Sequence, residues 1–468
     1  MQIYEKSKRK AGSSEYFICK EGNNKYLGII GIDSKSQKFD GKIIDDDGKR
    51  IKLCDLTSRN AALLQKTFPF TKPVRNLDKS TSIGLGDRLG LATPGHIRLV
   101  EKYDIFPVFA QQSIRELNLT GRTYADVLSS AVFAVFQEGY EKGYGADGDH
   151  LKTAEEVNYA LDNDFTMITL DCSEHIVNDL NGLDEKYMGV DVKNKKELEE
   201  EYLNAKFILN SGKELEYSEY DLRKAVVMYT KAIEHTCDIY YNVIKKRKAD
   251  IDFEISIDET LGTTSPQDHF FVARELKKAG IRFTSLAPRF CGEFQKGIDY
   301  IGDIDDFKRD FSTHAMIAET LGYKISVHSG SDKFSVFPYV GEYTDKKFHL
   351  KTAGTNWLEA IRTISVSDPV LYRDIHRFAL ANLEKAKKYY HIGAKPERIL
   401  SLGSLKDNEL KILMDLDDSR QAIHITYGLI LQDPGLKKRI YEFLGEHEDS
   451  YYRSLEKHIG KHLEMLGL

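Results

Sequence analysis

The stretch FEISIDET, residues 253–260, decides the fold. Phe253, Ile255 and Ile257 alternate with Glu254, Ser256 and Asp258, and the turn-prone TLGTTSP follows, which is the pattern of a β-strand. The helical periodicity on either side of it implies a parallel sheet, whose strands are normally apolar on both faces. A closed barrel reconciles the two observations. There the outward side of each strand meets helices, and the inward side faces the axis, where functional groups gather toward the C-terminal ends. The same alternation recurs at Ile168 and Leu170 with Thr169 and Asp171, at Ile325 and Val327 with Ser326 and His328, and at Phe348 and Leu350 with His349 and Lys351. Burying that many ionisable groups demands mutual pairing, water or a ligand, so the upper interior is expected to be a polar pocket.

Working outward from residue 253, eight strand-like segments alternate with amphipathic helical stretches: SIGLGD (82–87), IFPVFAQ (105–111), GYGADGDH (143–150), FTMITLDC (165–172), FEISIDE (253–259), IRFTSLAP (281–288), KISVHSG (324–330) and FHLKTAG (348–354). Eight such units predict an α/β fold, a (β/α)8 TIM barrel, over residues 78–395. The long gap after the fourth strand reads as a helical insertion at about 173–250, with a solvated charge run at 194–201. Residues 1–77 read as a small β-rich module with an Asp-Gly hairpin signal at Asp47-Gly48, and residues 396–468 as a helical extension.

A chain of 468 residues with 67 Lys+Arg against 73 Asp+Glu has no basic block suited to nucleic acid or an anionic membrane, and no run of the length of a membrane span. Five scattered cysteines without a CxxC pair point away from disulfides and thiolate zinc and fit a reducing cytoplasm. The composition is compatible with a homo-oligomer.

The strand ends collect Asp87, Arg88, Gln111, Gln112, Asp149, His150, Asp171, Glu254, Asp258, Arg289, His328, Asp332 and Lys333. Imidazoles with oxygen donors suit a divalent transition metal (Zn, Mn, Ni, Co or Fe), and His150 and His328, from the third and seventh strands, face each other across the axis. Asp149 and Glu254 lead as an acid/base pair, since a reaction that moves two protons needs groups approaching from different directions. Arg88, Arg289 and Lys333 are candidate anion binders. Each has a structural alternative: a hydrogen-bonded loop histidine, a turn aspartate, an ion-paired glutamate in the barrel floor. A second metal site at Asp171 and His175 competes with capping by Asp171. GLGDRLG (84–90) spaces its glycines GxGxxxG, which is not the dinucleotide pattern, and predicts a tight strand-to-helix turn.

IGLGDRLGLATPGHI, FAQQSIREL, GYGADGDHLKT, SLAPRFCGEFQKGIDYIGD, VHSGSDKFSVFP and HLKTAGTNWLEA together resemble the tagaturonate/fructuronate epimerase family. The resemblance implies a metal-dependent isomerase that interconverts D-tagaturonate and D-fructuronate in hexuronate breakdown. Some relatives also act on fructose and tagatose. It implies His150, Gln295 and His328 as metal ligands and Asp149 and Glu254 as proton acceptor and donor. Arg88, Gln111 and Lys333 are then expected to contact the substrate, a sugar acid or ketohexose. Because the inverted carbon is alpha to neither carbonyl, a retro-aldol and aldol pair of steps is expected. Transient oxidation by a nicotinamide, or a two-carboxylate glycosidase on the same fold, are the alternatives.

Overall fold

A computed structural model of the chain describes residues 1–46, 48–75, 79–191, 195–248, 250–390 and 392–468. Eight parallel strands close into a barrel: β1 (Thr81–Gly84), β2 (Phe106–Gln112), β3 (Gly145–Leu151), β4 (Met167–Asp171), β5 (Asp252–Ile257), β6 (Ser285–Pro288), β7 (Lys324–Val327) and β8 (Phe348–Lys351). Each falls within or beside the segment read as a strand from the sequence. The outward residues of β5, Phe253, Ile255 and Ile257, join the main apolar cluster with the surrounding helices. Its inward residues are polar, as the sequence required.

The interior is layered. Phe106, Val108 and Met167 form an apolar plug of their own. Lys324 donates to Ser82 Oγ at 2.7 Å, and Ser82 meets His349 Nδ1 at 3.0 Å. Above them lies a ring of charge around Lys351, and the mouth opens beyond it. Two register shifts aim side chains into this interior. One lies between Val108 and Ala110 of β2, so that Gln111 reaches Asp147 of β3 at 3.4 Å. The other lies where β3 meets β4 between Ile168 and Leu170, and there His150 takes a left-handed φ of +54°. Adjacent strand residues normally point to opposite faces. A bulge with one residue in this conformation lets Asp149 and His150 both serve the cavity.

The N-terminal six-stranded antiparallel sheet packs on the barrel through Phe68, whose ring lies 5.3 Å from Tyr16 and 5.1 Å from Phe136 of the helix Tyr124–Glu138. Strands Lys42–Asp46 and Lys49–Asp55 pair with Asp46 opposite Lys49; Asp47 of the expected hairpin, the boundary at residues 77 and 78, and Asn194 of the charge run lie outside the described residues. Between β4 and β5 the helices Leu183–Gly189 and Lys195–Leu203 gather on Glu219–Ile239 around their own apolar cluster, which includes Tyr187, Leu198 and Tyr202. The C-terminal helices wrap back over the barrel, and Asp417–Ile425 reaches its mouth. All five cysteines are free, and no helix among the described residues is long and apolar enough to cross a membrane.

Several histidines are buried in the neutral form. Burial lowers His96 and His376 from 6.5 to about 4 and His349 and His462 to about 3. Because the unfolded chain binds these protons first, stability should fall as pH drops below 6.5, the ordinary value, toward 4. Each proton taken up costs about 1.4 kcal/mol per pH unit. Melting temperatures recorded from neutral to acidic pH should decline steadily through this window, and a flat profile contradicts the neutral burial.

Candidate active site

Lys351, at the end of β8, places its ammonium 2.6 Å from Asp149 Oδ1, 2.9 Å from Glu254 Oε1 and 3.0 Å from Asp147 Oδ2, and 2.5 Å from Thr169 Oγ1. All three carboxylates come from strands β3 and β5, and all are buried. Burial alone would discharge the lysine, yet the carboxylates hold its pKa well above the usual range. Burial would likewise raise Asp149 and Glu254, but Lys351 and the adjacent imidazoles hold both well below the carboxylate range. Asp147 is pushed up to about 6 by burial, against the pull of Lys351.

Two imidazoles stand on this ring, with ring centroids 4.8 Å apart. His150 Nδ1 lies 2.8 Å from Asp149 Oδ1, and His328 Nε2 lies 2.8 Å from Glu254 Oε1. Each imidazole thus gives one nitrogen to a carboxylate and turns the other toward Asp258: His328 Nδ1 is 3.3 Å from Asp258 Oδ2 and His150 Nε2 is 3.9 Å from Asp258 Oδ1. One donor atom from each of His150, Asp258 and His328 fits within 4.8 Å of the others. Apart from that 3.3 Å approach of Asp258, the buried His328 Nδ1 makes no hydrogen bond. An imidazole oriented by a carboxylate on its far nitrogen is the usual arrangement of a metal ligand, so the donor set suits a divalent transition metal. Although burial lowers it, His150 is raised to about 10 by Asp149, so a metal would bind in exchange for imidazole protons.

Asp149, His150, Asp258, His328 and Lys351 line a cavity of about 520 Å³ at the C-terminal mouth of the barrel, walled also by Arg88, Arg115, Lys296, Tyr389, Tyr390 and His424. The volume suits a small polar metabolite.

A family profile described as tagaturonate epimerase matches residues 4–466. The chain belongs to the tagaturonate epimerase family. A curated tagaturonate/fructuronate epimerase from Thermotoga maritima is 42% identical over 99% of this chain and 97% of its own. The native crystal structure of the fructuronate-tagaturonate epimerase UxaE from Cohnella laeviribosi superposes with a TM-score of 0.96 at 45% identity, covering all of this chain and 96% of that one. A glycerol complex of the same enzyme matches equally, with a TM-score of 0.96.

Within this family fold the residues singled out from the sequence sort unevenly. Asp149, His150 and His328 come together at the cavity. Glu254 lies beneath it, fully buried, between Lys351, His328 and Ser285 Oγ at 2.6 Å. Gln295 lines a neighbouring cavity with His328 and Asp258, and its Oε1 accepts from Gly393 N at 2.7 Å and Gln421 Nε2 at 2.9 Å, while Asp258 is the carboxylate grouped with the imidazoles. Lys333 is not among the residues that line the cavity. Its three donors go to the carbonyls of Gln295, Ile298 and Ser331 at 2.6–2.9 Å, so it braces loops and has no donor left for a substrate. Gln111 reaches inward but to Asp147, below the mouth. Arg88 lines the cavity while holding Glu116 Oε1 at 2.6 and 2.9 Å. Arg289 donates to Thr260 O.

The GLGDRLG turn takes no phosphate, because Asp87 already accepts the backbone N–H groups of Leu89, Gly90, Leu91, Ala92 and Thr93. Asp171 caps Ser173 N at 2.8 Å, and His175 stacks on His235 at 3.9 Å, which leaves no metal pair there. Glu254 is fully buried and has no surface on the cavity, so Asp149 and Glu254 do not flank a position where a glycosidic bond could sit.

Titration of purified, chelator-treated protein with Mn²⁺ by calorimetry should show Asp258→Asn weakening binding at least about tenfold, and Gln295→Ala changing it less than about threefold. The reverse order would restore Gln295 to the ligand set.

Proposed function

We propose that this chain is an epimerase that interconverts D-tagaturonate and D-fructuronate, and that it works by breaking and remaking one C–C bond with a divalent transition metal present. The observation that carries the reading is the pair of carboxylate-held imidazoles converging with Asp258 beside Asp149 and Lys351, in a chain that matches the family over nearly its whole length.

The two sugar acids differ at C3, counted from the carboxylate, and the ketone is at C5. A proton on C3 has no adjacent carbonyl to stabilise its removal. Cleavage of C3–C4 does: the bonding pair passes toward the ketone, leaving an enediolate half and an aldehyde half. A metal held by His150, Asp258 and His328 would supply Lewis-acid polarisation of the ketone oxygen.

The chain's own residues do the rest. Asp149, ionised and at the cavity wall, takes the C3 hydroxyl proton as the bond breaks. After the aldehyde turns and the bond re-forms on its other face, the new C3 oxygen needs a proton. Glu254, expected as donor, has no surface on the cavity; Lys351 does, and Glu254 backs it at 2.9 Å. Lys351 therefore delivers the proton and regains one from Asp149 across 2.6 Å, which returns both groups to their starting states. Glu254 positions Lys351 and His328.

Metal-loaded protein given tagaturonate should form fructuronate, followed by NMR. Chelation should abolish the reaction and Mn²⁺ restore it, and in D₂O the C3 hydrogen should stay in place. Asp149→Asn should lower kcat about 10²–10⁴-fold. Full turnover by rigorously demetallated protein, or deuterium at C3, would overturn the reading.

A further inference from the structure

The cavity has two chemically distinct ends. One holds Asp149, His150, Asp258, His328 and Lys351. The other holds three cations, Arg88, Arg115 and Lys296, that no sugar hydroxyl requires. Arg88 is buried and spoken for: it holds Glu116 and lies 4.1 Å over the Tyr427 ring. Lys296 and Arg115 differ. Among the described residues neither has a carboxylate within ion-pair distance. Lys296 donates to Ser329 Oγ at 2.7 Å, and Arg115 lies 5.0 Å over the Tyr390 ring at the rim. Glu259, the remaining acid at this end, is exposed. Burial and the neighbouring arginines lower the Lys296 pKa, the mark of a cation without a counter-charge of its own.

We propose that Lys296 and Arg115, with Arg88 behind them, clamp the carboxylate of the sugar acid and set the preference for sugar acids over neutral ketohexoses. This rests on the epimerase reading. The geometry ties the clamp to the chemistry, because Ser329, which Lys296 holds, directly follows His328 and is itself in a left-handed conformation, φ +50°. A carboxylate docked on Lys296 is therefore registered against the imidazole end of the cavity. Arg115, more exposed, closes over it from the helix Ile114–Thr120. A neutral ketohexose offers a hydroxymethyl group instead and leaves two cations without an anion.

The test compares kcat/KM for tagaturonate and for tagatose in metal-loaded parent, Lys296→Met, Arg115→Met and Lys296→Arg proteins. Lys296→Met should lower kcat/KM for the acid about 100-fold, chiefly through KM, as loss of a buried charge-assisted hydrogen bond does. The acid-to-ketohexose ratio should fall at least about 30-fold, and Lys296→Arg should recover part of it. Parallel losses on both substrates, or none, would overturn the clamp. Should the parent turn over neither substrate, the epimerase reading fails by itself, and glycerate binding measured by calorimetry still decides the clamp. Glycerate bound by the parent and at least tenfold more weakly by Lys296→Met supports it; equal affinity, or no binding to either, refutes it.

Discussion

Three carboxylates buried inside one barrel must be balanced from within, and Lys351, helped by the imidazoles above it, is the group around which they gather. An isolated buried ion is too costly to keep, and a buried pair survives only when its geometry and its remaining hydrogen bonds are satisfied. Lys351 meets that condition by drawing Asp147 and Asp149 from β3, Glu254 from β5 and Thr169 from β4 onto a nitrogen from β8. The ion cluster spans the barrel interior and fixes the orientation of what stands on it. With Asp149 and Glu254 held by the lysine, each presents an oxygen to an imidazole, and each imidazole then turns its other nitrogen to Asp258. The metal-type donor set is thus a consequence of charge balance one layer below.

The barrel is legible in the sequence because period-two alternation with a polar inner face, repeated in parallel strands, requires a closed interior, and FEISIDE, KISVHSG and FHLKTAG all carry it. The imidazoles are legible for the same reason, since they end strands. What the alternation does not show is where it slips. Asp149 and His150 are neighbours, and only the bulge with His150 at φ +54° lets both face the cavity. Asp258 is visible among the strand-end groups, but the family resemblance points instead to Gln295, whose amide is committed to Gly393 and Gln421 from distant parts of the chain. Lys333 reads as a free cation because nothing local reveals that three loop carbonyls surround it. Lys296 reaches the cavity from a loop, Arg115 from the short helix Ile114–Thr120 and His424 from the C-terminal helices, where no strand alternation marks a side chain's direction.

The two ends of the cavity are built differently, and the difference follows from what each must do. Groups that move protons and hold an ion sit on strand ends, braced by the Lys351 cluster, because small displacements there are costly. Groups at the other end come from loops, from the short helix Ile114–Thr120, from the segment that carries Tyr389 and Tyr390, and from the C-terminal extension, which contributes His424 to the wall. One barrel can serve different substrates by varying such elements while its strand-end chemistry is kept.

The charge-balance account is tested most directly by chemical denaturation of Lys351→Met beside the same substitution combined with Asp147→Asn and Glu254→Gln. Removing the ammonium alone strands buried carboxylates and should cost about 3–5 kcal/mol, and neutralising two of them in the same chain should restore a large part of that loss. A Lys351→Met protein with the parent's unfolding midpoint, or a triple variant less stable than the single one, would contradict it.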